Sequence, residues 1–130
     1  MDKKILIVDD EKPILEALRR MFSVSGYSPY YALNGKEALA VLENEDICVC
    51  FVDLRMPGMD GAELCRRIKQ LKKDSRVYAL SAYTDAYEEK EFREMGFDGW
   101  FKKPFKYEEL IRCCCGVFDE MEKAHVEPGD

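Results

Sequence analysis

Asp9, Asp10, Asp53, Ser81 and Lys103 share one sequence context: each follows a short apolar run. Residues 5–8 lead into Asp9 and Asp10, residues 47–52 into Asp53, residues 77–80 into Ser81, and residues 99–102 into Lys103. In an α/β sheet the strands run parallel and ligands bind outside their carboxyl ends. Residues placed this way are expected to meet at one point.

Three carboxylates gathered there repel one another, and such a cluster persists most naturally when it holds a cation. Magnesium is the expected ion, because it takes oxygen ligands and commonly sits between one or two carboxylates and a phosphate. Asp10 and Asp53 are expected to ligate it directly, with Asp9 helping through water. A carboxylate whose charge is offset by a metal and a cation can also act as a nucleophile and form an aspartyl phosphate. Asp53 is the candidate nucleophile. Lys103 supplies a compact positive charge to the phosphoryl oxygens, and the Ser81 hydroxyl a hydrogen bond to another. Each signal alone has a plain alternative: an Asp pair after a strand often caps a helix, a Ser there caps or turns, and Lys-Pro marks a loop.

The elements that must position these residues follow from periodicity. Apolar runs alternate with segments of helical spacing, which argues for five βα units and a parallel sheet. Pro13 marks a first helix whose stripe is Ile14, Leu15, Leu18, Met21 and Phe22, stopped by Ser25 and Gly26. The second strand, 27–32, contains Pro29 and is expected at an edge. Asn34 and Glu37 form a capping box for the second helix. The runs 47–52 and 77–80 are nearly uninterrupted apolar, as strands covered on both faces are. Asp60 caps a helix burying Leu64, Cys65, Ile68 and Leu71, followed by a polar turn at 72–75. Asp85 and Glu88 form a second expected box, for a helix that Gly96 ends. A last helix from about Tyr107 carries Leu110, Ile111, Cys114, Val117, Phe118 and Met121 on one face.

A chain of 130 residues, 47% hydrophobic, suits one domain, here residues 1–121. Residues 122–130 read as a polar tail or the start of a linker, and His125 within it as a solvated side chain. The net charge of -6 and the lack of a basic run able to neutralise a phosphate backbone argue against direct nucleic-acid binding, and so for a protein partner. No apolar stretch matches a bilayer span and no signal-type segment opens the chain, so the expectation is a cytoplasmic protein with no membrane association. Six cysteines occur without a C-x-x-C pair. Cys48 and Cys50, two apart in a strand, are expected to share a core face. Cys113, Cys114 and Cys115 point about 100° apart on a helix and cannot converge on one metal. All are read as reduced thiols.

Taken together, the chain resembles the receiver domain of bacterial two-component response regulators. The resemblance rests on Ile5 through Glu11, on Asp53-Leu54-Arg55-Met56-Pro57-Gly58-Met59-Asp60-Gly61, on Ala79-Leu80-Ser81-Ala82 and on Lys102-Lys103-Pro104-Phe105, and covers roughly residues 3–121. It implies a doubly wound, flavodoxin-like sheet of order 2-1-3-4-5 with five helices on both faces. It implies phosphorylation of Asp53 by a sensor histidine kinase or a histidine phosphotransfer protein, in a transfer that the receiver itself catalyses. Magnesium is then organised by Asp9, Asp10, Asp53 and the backbone carbonyl of Arg55, while Ser81 and Lys103 bind the phosphoryl group. The resemblance further implies a cis bond before Pro104, a switch in which Ser81 moves toward the phosphoryl group and the aromatic at Trp100 turns inward, and tuning of phosphoryl lifetime by Arg55 and Tyr83, whose long side chains are expected to favour a persistent phosphorylated state. A signalling face at 87–94 and 106–112 would meet a downstream effector protein or domain, or a second copy in a phosphorylation-dependent homodimer.

Three other readings are weaker on the residues. A haloacid-dehalogenase-type phosphatase needs Asp-x-Asp after its first strand, and here Asp9 and Asp10 are adjacent. A flavodoxin-like cofactor protein needs glycines and hydroxyls where this chain has acids. A degenerate docking module would lack one of the five key residues, and all are present.

Overall fold

Strand β3 (Val49–Asp53) is buried at every position because it lies in the middle of the sheet. The computed structural model describes residues 2–82 and 87–124. Around β3 stand β1 (Lys4–Val8), β2 (Ser28–Ala32), β4 (Arg76–Ser81) and β5 (Gly99–Lys102). All pair in parallel, in the order β2-β1-β3-β4-β5. The expected sheet order is therefore the observed one, with the Pro29 strand at an edge.

Alternation along each strand divides the core in two. Leu6, Val8, Cys50, Val52, Val77 and Ala79 face one side, where α2 (Gly35–Asn44), α3 (Gly61–Leu71) and α4 (Glu89–Glu94) pack. Ile5, Ile7, Val49, Phe51, Tyr78 and Leu80 face the other, against α1 (Lys12–Val24) and α5 (Tyr107–Ala124). Both faces are covered, which explains the unbroken apolar strands.

Helix ends follow local chemistry. Asn34 accepts the Glu37 amide at 2.9 Å and Asp60 the Glu63 amide at 2.9 Å. Glu37 reaches back to the amide of Leu33 rather than that of Asn34. Helix α4 is opened by a box made of Glu88 and Glu91, one turn later than expected, and Asp85 lies outside the described residues. Gly96, at φ +100°, takes the left-handed conformation just past that helix.

Three other expectations differ from the structure. Leu71 is 45% exposed, because it ends α3 where the helix has run past the core. Cys48 and Cys50 pack on opposite sides of the sheet, since Cys48 precedes β3 and the strand's alternation does not reach it. Helix α5 continues through Ala124, carried by Met121 packing below its polar last turn.

At the amino ends of the strands, charges are paired across elements. Lys4 meets Glu45 at 2.9 Å, Lys72 meets Asp46 at 2.9 Å, and Arg76 meets Glu120 at 3.1 Å. Lys69 donates to Asp98 at 2.6 Å and to the Ser75 carbonyl at 2.7 Å, while the same Asp98 oxygen accepts the Val77 amide at 2.8 Å.

Candidate functional site

Register explains how distant residues meet. Val8 pairs with Val52, so Asp9 and Asp53 stand next along neighbouring strands. Ser81 pairs with Lys102, which sets Lys103 one step beyond it, and the Lys103 amide donates to the Ser81 carbonyl at 2.7 Å. The expected convergence is present for the acids and the lysine. One carboxylate oxygen from each of Asp9, Asp10 and Asp53 falls within 4.8 Å of the others. Lys103 Nζ donates to Asp9 Oδ2 at 3.0 Å and lies 3.7 Å from Asp53 Oδ2.

Local bonds hold each acid in place. Asp9, fully buried, accepts the Glu11 amide on Oδ1 at 3.0 Å, and Asp53, nearly buried, accepts the Arg55 amide at 3.3 Å. Asp10 is exposed at the mouth. The first residue of α3 presses on the end of β3 from behind: a Cβ on Gly61 would lie 2.6 Å from the Asp53 carbonyl oxygen and 2.7 Å from Leu54 Cα. Only glycine fits this approach. The sequence shows Gly61 as part of a motif, but nothing in it signals the backbone contact.

The electrostatics match the crowding. Burial, then the Asp9 charge, push the Asp53 carboxyl up to about 6, against the pull of Lys103 and the Arg55 amide. Burial alone would lower the Lys103 ammonium, but its bond to Asp9 and the charges of Asp9 and Asp53 carry it above its ordinary value. Three oxygen donors with the Lys103 ammonium beside them suit a hard divalent ion and a phosphoryl oxygen.

Ser81 is fully buried at the end of β4, its hydroxyl 3.5 Å from the Ala82 carbonyl. The Lys103–Pro104 peptide is cis, as the resemblance implied. Arg55 is exposed beside the site, and Tyr83 lies outside the described residues. Trp100, half-buried, stands on the α4 side of the sheet with its ring stacked on Phe92.

Residues 5–114 match the family model of the response regulator receiver domain. The chain belongs to that family. This receiver domain is 36% identical over 110 residues to sporulation initiation phosphotransferase F of Bacillus subtilis, covering 85% of this chain and 89% of that protein. It is 35% identical over 111 residues to response regulator MprA of Mycolicibacterium vanbaalenii, covering 85% of this chain but 48% of MprA. The chain thus spans about half the length of that regulator. Among solved structures, a CheY-like receiver domain protein of Methanospirillum hungatei superposes with a TM-score of 0.87 at 28% identity, over 95% of this chain and 99% of that one. The regulator TrrA of Thermotoga maritima, solved with magnesium and beryllofluoride, gives 0.78 at 30% identity, over 88% and 98%. The receiver domain is a signalling switch of two-component systems. Among the described residues no helix is long and apolar enough to cross a membrane.

Proposed function

We propose that this receiver domain takes a phosphoryl group onto Asp53 and catalyses the transfer itself. The observation that carries the reading is the cluster of Asp9, Asp10 and Asp53 within 4.8 Å, with the Lys103 ammonium 3.0 Å from one and 3.7 Å from another. Asp9, Asp10, Asp53 and the Arg55 carbonyl would hold magnesium, which when bound offsets the carboxylate charge and ligates a phosphoryl oxygen.

The donor is a phosphohistidine on a sensor histidine kinase or a histidine phosphotransfer protein. An Asp53 carboxylate oxygen forms the new P–O bond as the P–N bond breaks, and the imidazole leaves with the bonding pair. Lys103 neutralises charge on the transferring oxygens, and Ser81 donates its hydroxyl to one of them. In this reading Ser81 and Trp100 relay the change to a face formed by α4, β5 and α5, which binds a downstream effector or a second copy. A cytoplasmic setting suits the six free cysteines.

Intact mass spectrometry after incubation with magnesium and acetyl phosphate tests the proposal. A phosphoryl adduct is expected on the native chain and not on Asp53→Asn. Equal adducts on both, or none on either, would overturn it.

A further inference from the structure

The Trp100 ring lies face to face with Phe92 of α4, centroids 5.1 Å apart and planes 6° from parallel. Phe92 is fully buried, and it is itself held edge-on by Tyr87 at 5.8 Å and by Phe97 at 6.4 Å. A half-buried ring is thus seated on an anchored one. Strand β5 has only four residues and lies at the sheet edge beside β4, and among the described residues no other ring stacks on Trp100.

We infer that Phe92 is a positioning residue for the switch: its stack on Trp100 holds the ring on the α4 side and sets how much phosphorylation must contribute to turn it inward. This rests on the proposed phosphoryl switch. Turning the ring toward the site breaks the stack, so every loss of stacking favours the turned state. By linkage, a change that favours the turned state must tighten binding of whatever selects it. An aromatic pair of this kind shifts such an equilibrium by about two- to twelvefold. Phe92 also ties β5 to α4, so the ring cannot turn without releasing the helix it leans on.

The test titrates beryllofluoride with magnesium into the native chain and into Phe92→Leu and Phe92→Tyr, reading Trp100 emission and, separately, calorimetric affinity. Leucine keeps the apolar character and removes the ring, whereas tyrosine keeps the ring. Phe92→Leu is expected to bind beryllofluoride about two- to twelvefold more tightly, with an enlarged emission change, and Phe92→Tyr to behave as native. Thermal melts of all three keep the comparison to folded protein, and Trp100→Leu, which removes the stack from the other side, is expected to tighten binding likewise. Binding by the native chain with unchanged or weaker affinity in both leucine variants would overturn the inference and leave Asp53 as acceptor. No binding by the native chain would overturn the phosphoacceptor reading, and this inference with it.

Discussion

Lys103 stands closer to Asp9 than to Asp53: its ammonium is 3.0 Å from one carboxylate and 3.7 Å from the other. The lysine that is to serve the phosphoryl group is bonded to an acid that is to serve the metal. A cation entering among the three carboxylates therefore competes with Lys103 for Asp9.

Lys103→Met should bind magnesium more tightly than the native chain. Removing a unit positive charge at this range is worth roughly 1–2 kcal/mol to an incoming dication in a partly solvated site, or about tenfold. Phosphoryl transfer should fall by about two or more orders of magnitude in the same variant, since its neutralising charge is gone. Magnesium titration followed by Trp100 emission, beside a phosphorylation time course, reads both. Weaker magnesium binding would show that Lys103 does not oppose the metal.

Asp53→Asn should raise the melting temperature at pH 7 and flatten its pH dependence. In the fold the Asp53 carboxyl sits near 6, above its ordinary value of 3.8, because of burial and Asp9. The folded state thus holds this proton more tightly than the unfolded chain. The stabilisation it brings is full below about pH 4 and is lost as pH rises through about 6. Asparagine removes the penalty of the buried charge, and a gain of a few degrees is expected. Melts at about pH 4, 5, 6 and 7 check the sign.

Magnesium should stabilise the native chain and not the asparagine variant to the same degree. At a hundredfold excess over its dissociation constant, a ligand bound only to the folded state contributes about 2.7 kcal/mol. Chelation should reverse the shift completely. Equal magnesium-induced shifts in the two proteins would remove Asp53 from the metal site.

Gly61→Ala should lower both stability and phosphorylation. The added methyl meets the backbone of Asp53 and Leu54 at 2.6 to 2.7 Å, where no side chain can swing away. Overpacking of this kind costs about 1–3 kcal/mol. Denaturant melts give the stability change, and phosphorylation assayed well below the transition separates misplacement of Asp53 from unfolding.

Asp98→Ala should destabilise the fold while leaving the site able to take phosphate. One Asp98 oxygen satisfies both the Lys69 ammonium and the Val77 amide. Losing it strands the Val77 amide, at about 1–3 kcal/mol where it is shielded from water, and leaves the Lys69 ammonium its bond to the Ser75 carbonyl. A lower midpoint with a native phosphorylation time course is the expected pair of results.

Much of the site is legible in the order of residues alone. Asp9, Asp53, Ser81 and Lys103 follow apolar runs, and parallel pairing makes such positions neighbours, so register turns a pattern into a site. Pro29 marks an edge and Asn34 a cap for the same reason, since both act through local backbone chemistry. What depends on packing is not legible. Nothing in the chain tells that Leu71 ends a helix beyond the core, that Cys48 falls outside the alternation of β3, or that Phe92 lies flat on Trp100. Gly61 shows the boundary between the two: its type is visible, but the Asp53 carbonyl it touches comes near only in the fold.

The ion pairs at the amino ends of the strands give the molecule a polarity of purpose. There, Lys4, Lys72, Arg76 and Lys69 each have an acid from another segment, whereas at the opposite rim Asp9 and Asp53 both lie beside Lys103, with Asp10 close to them. Among the described residues, one rim gives each of these cations its own acid, and the other sets two carboxylates on one lysine. If the proposed phosphorylation occurs, charge is gained and shed at the rim of crowded carboxylates while the paired rim keeps the strands aligned.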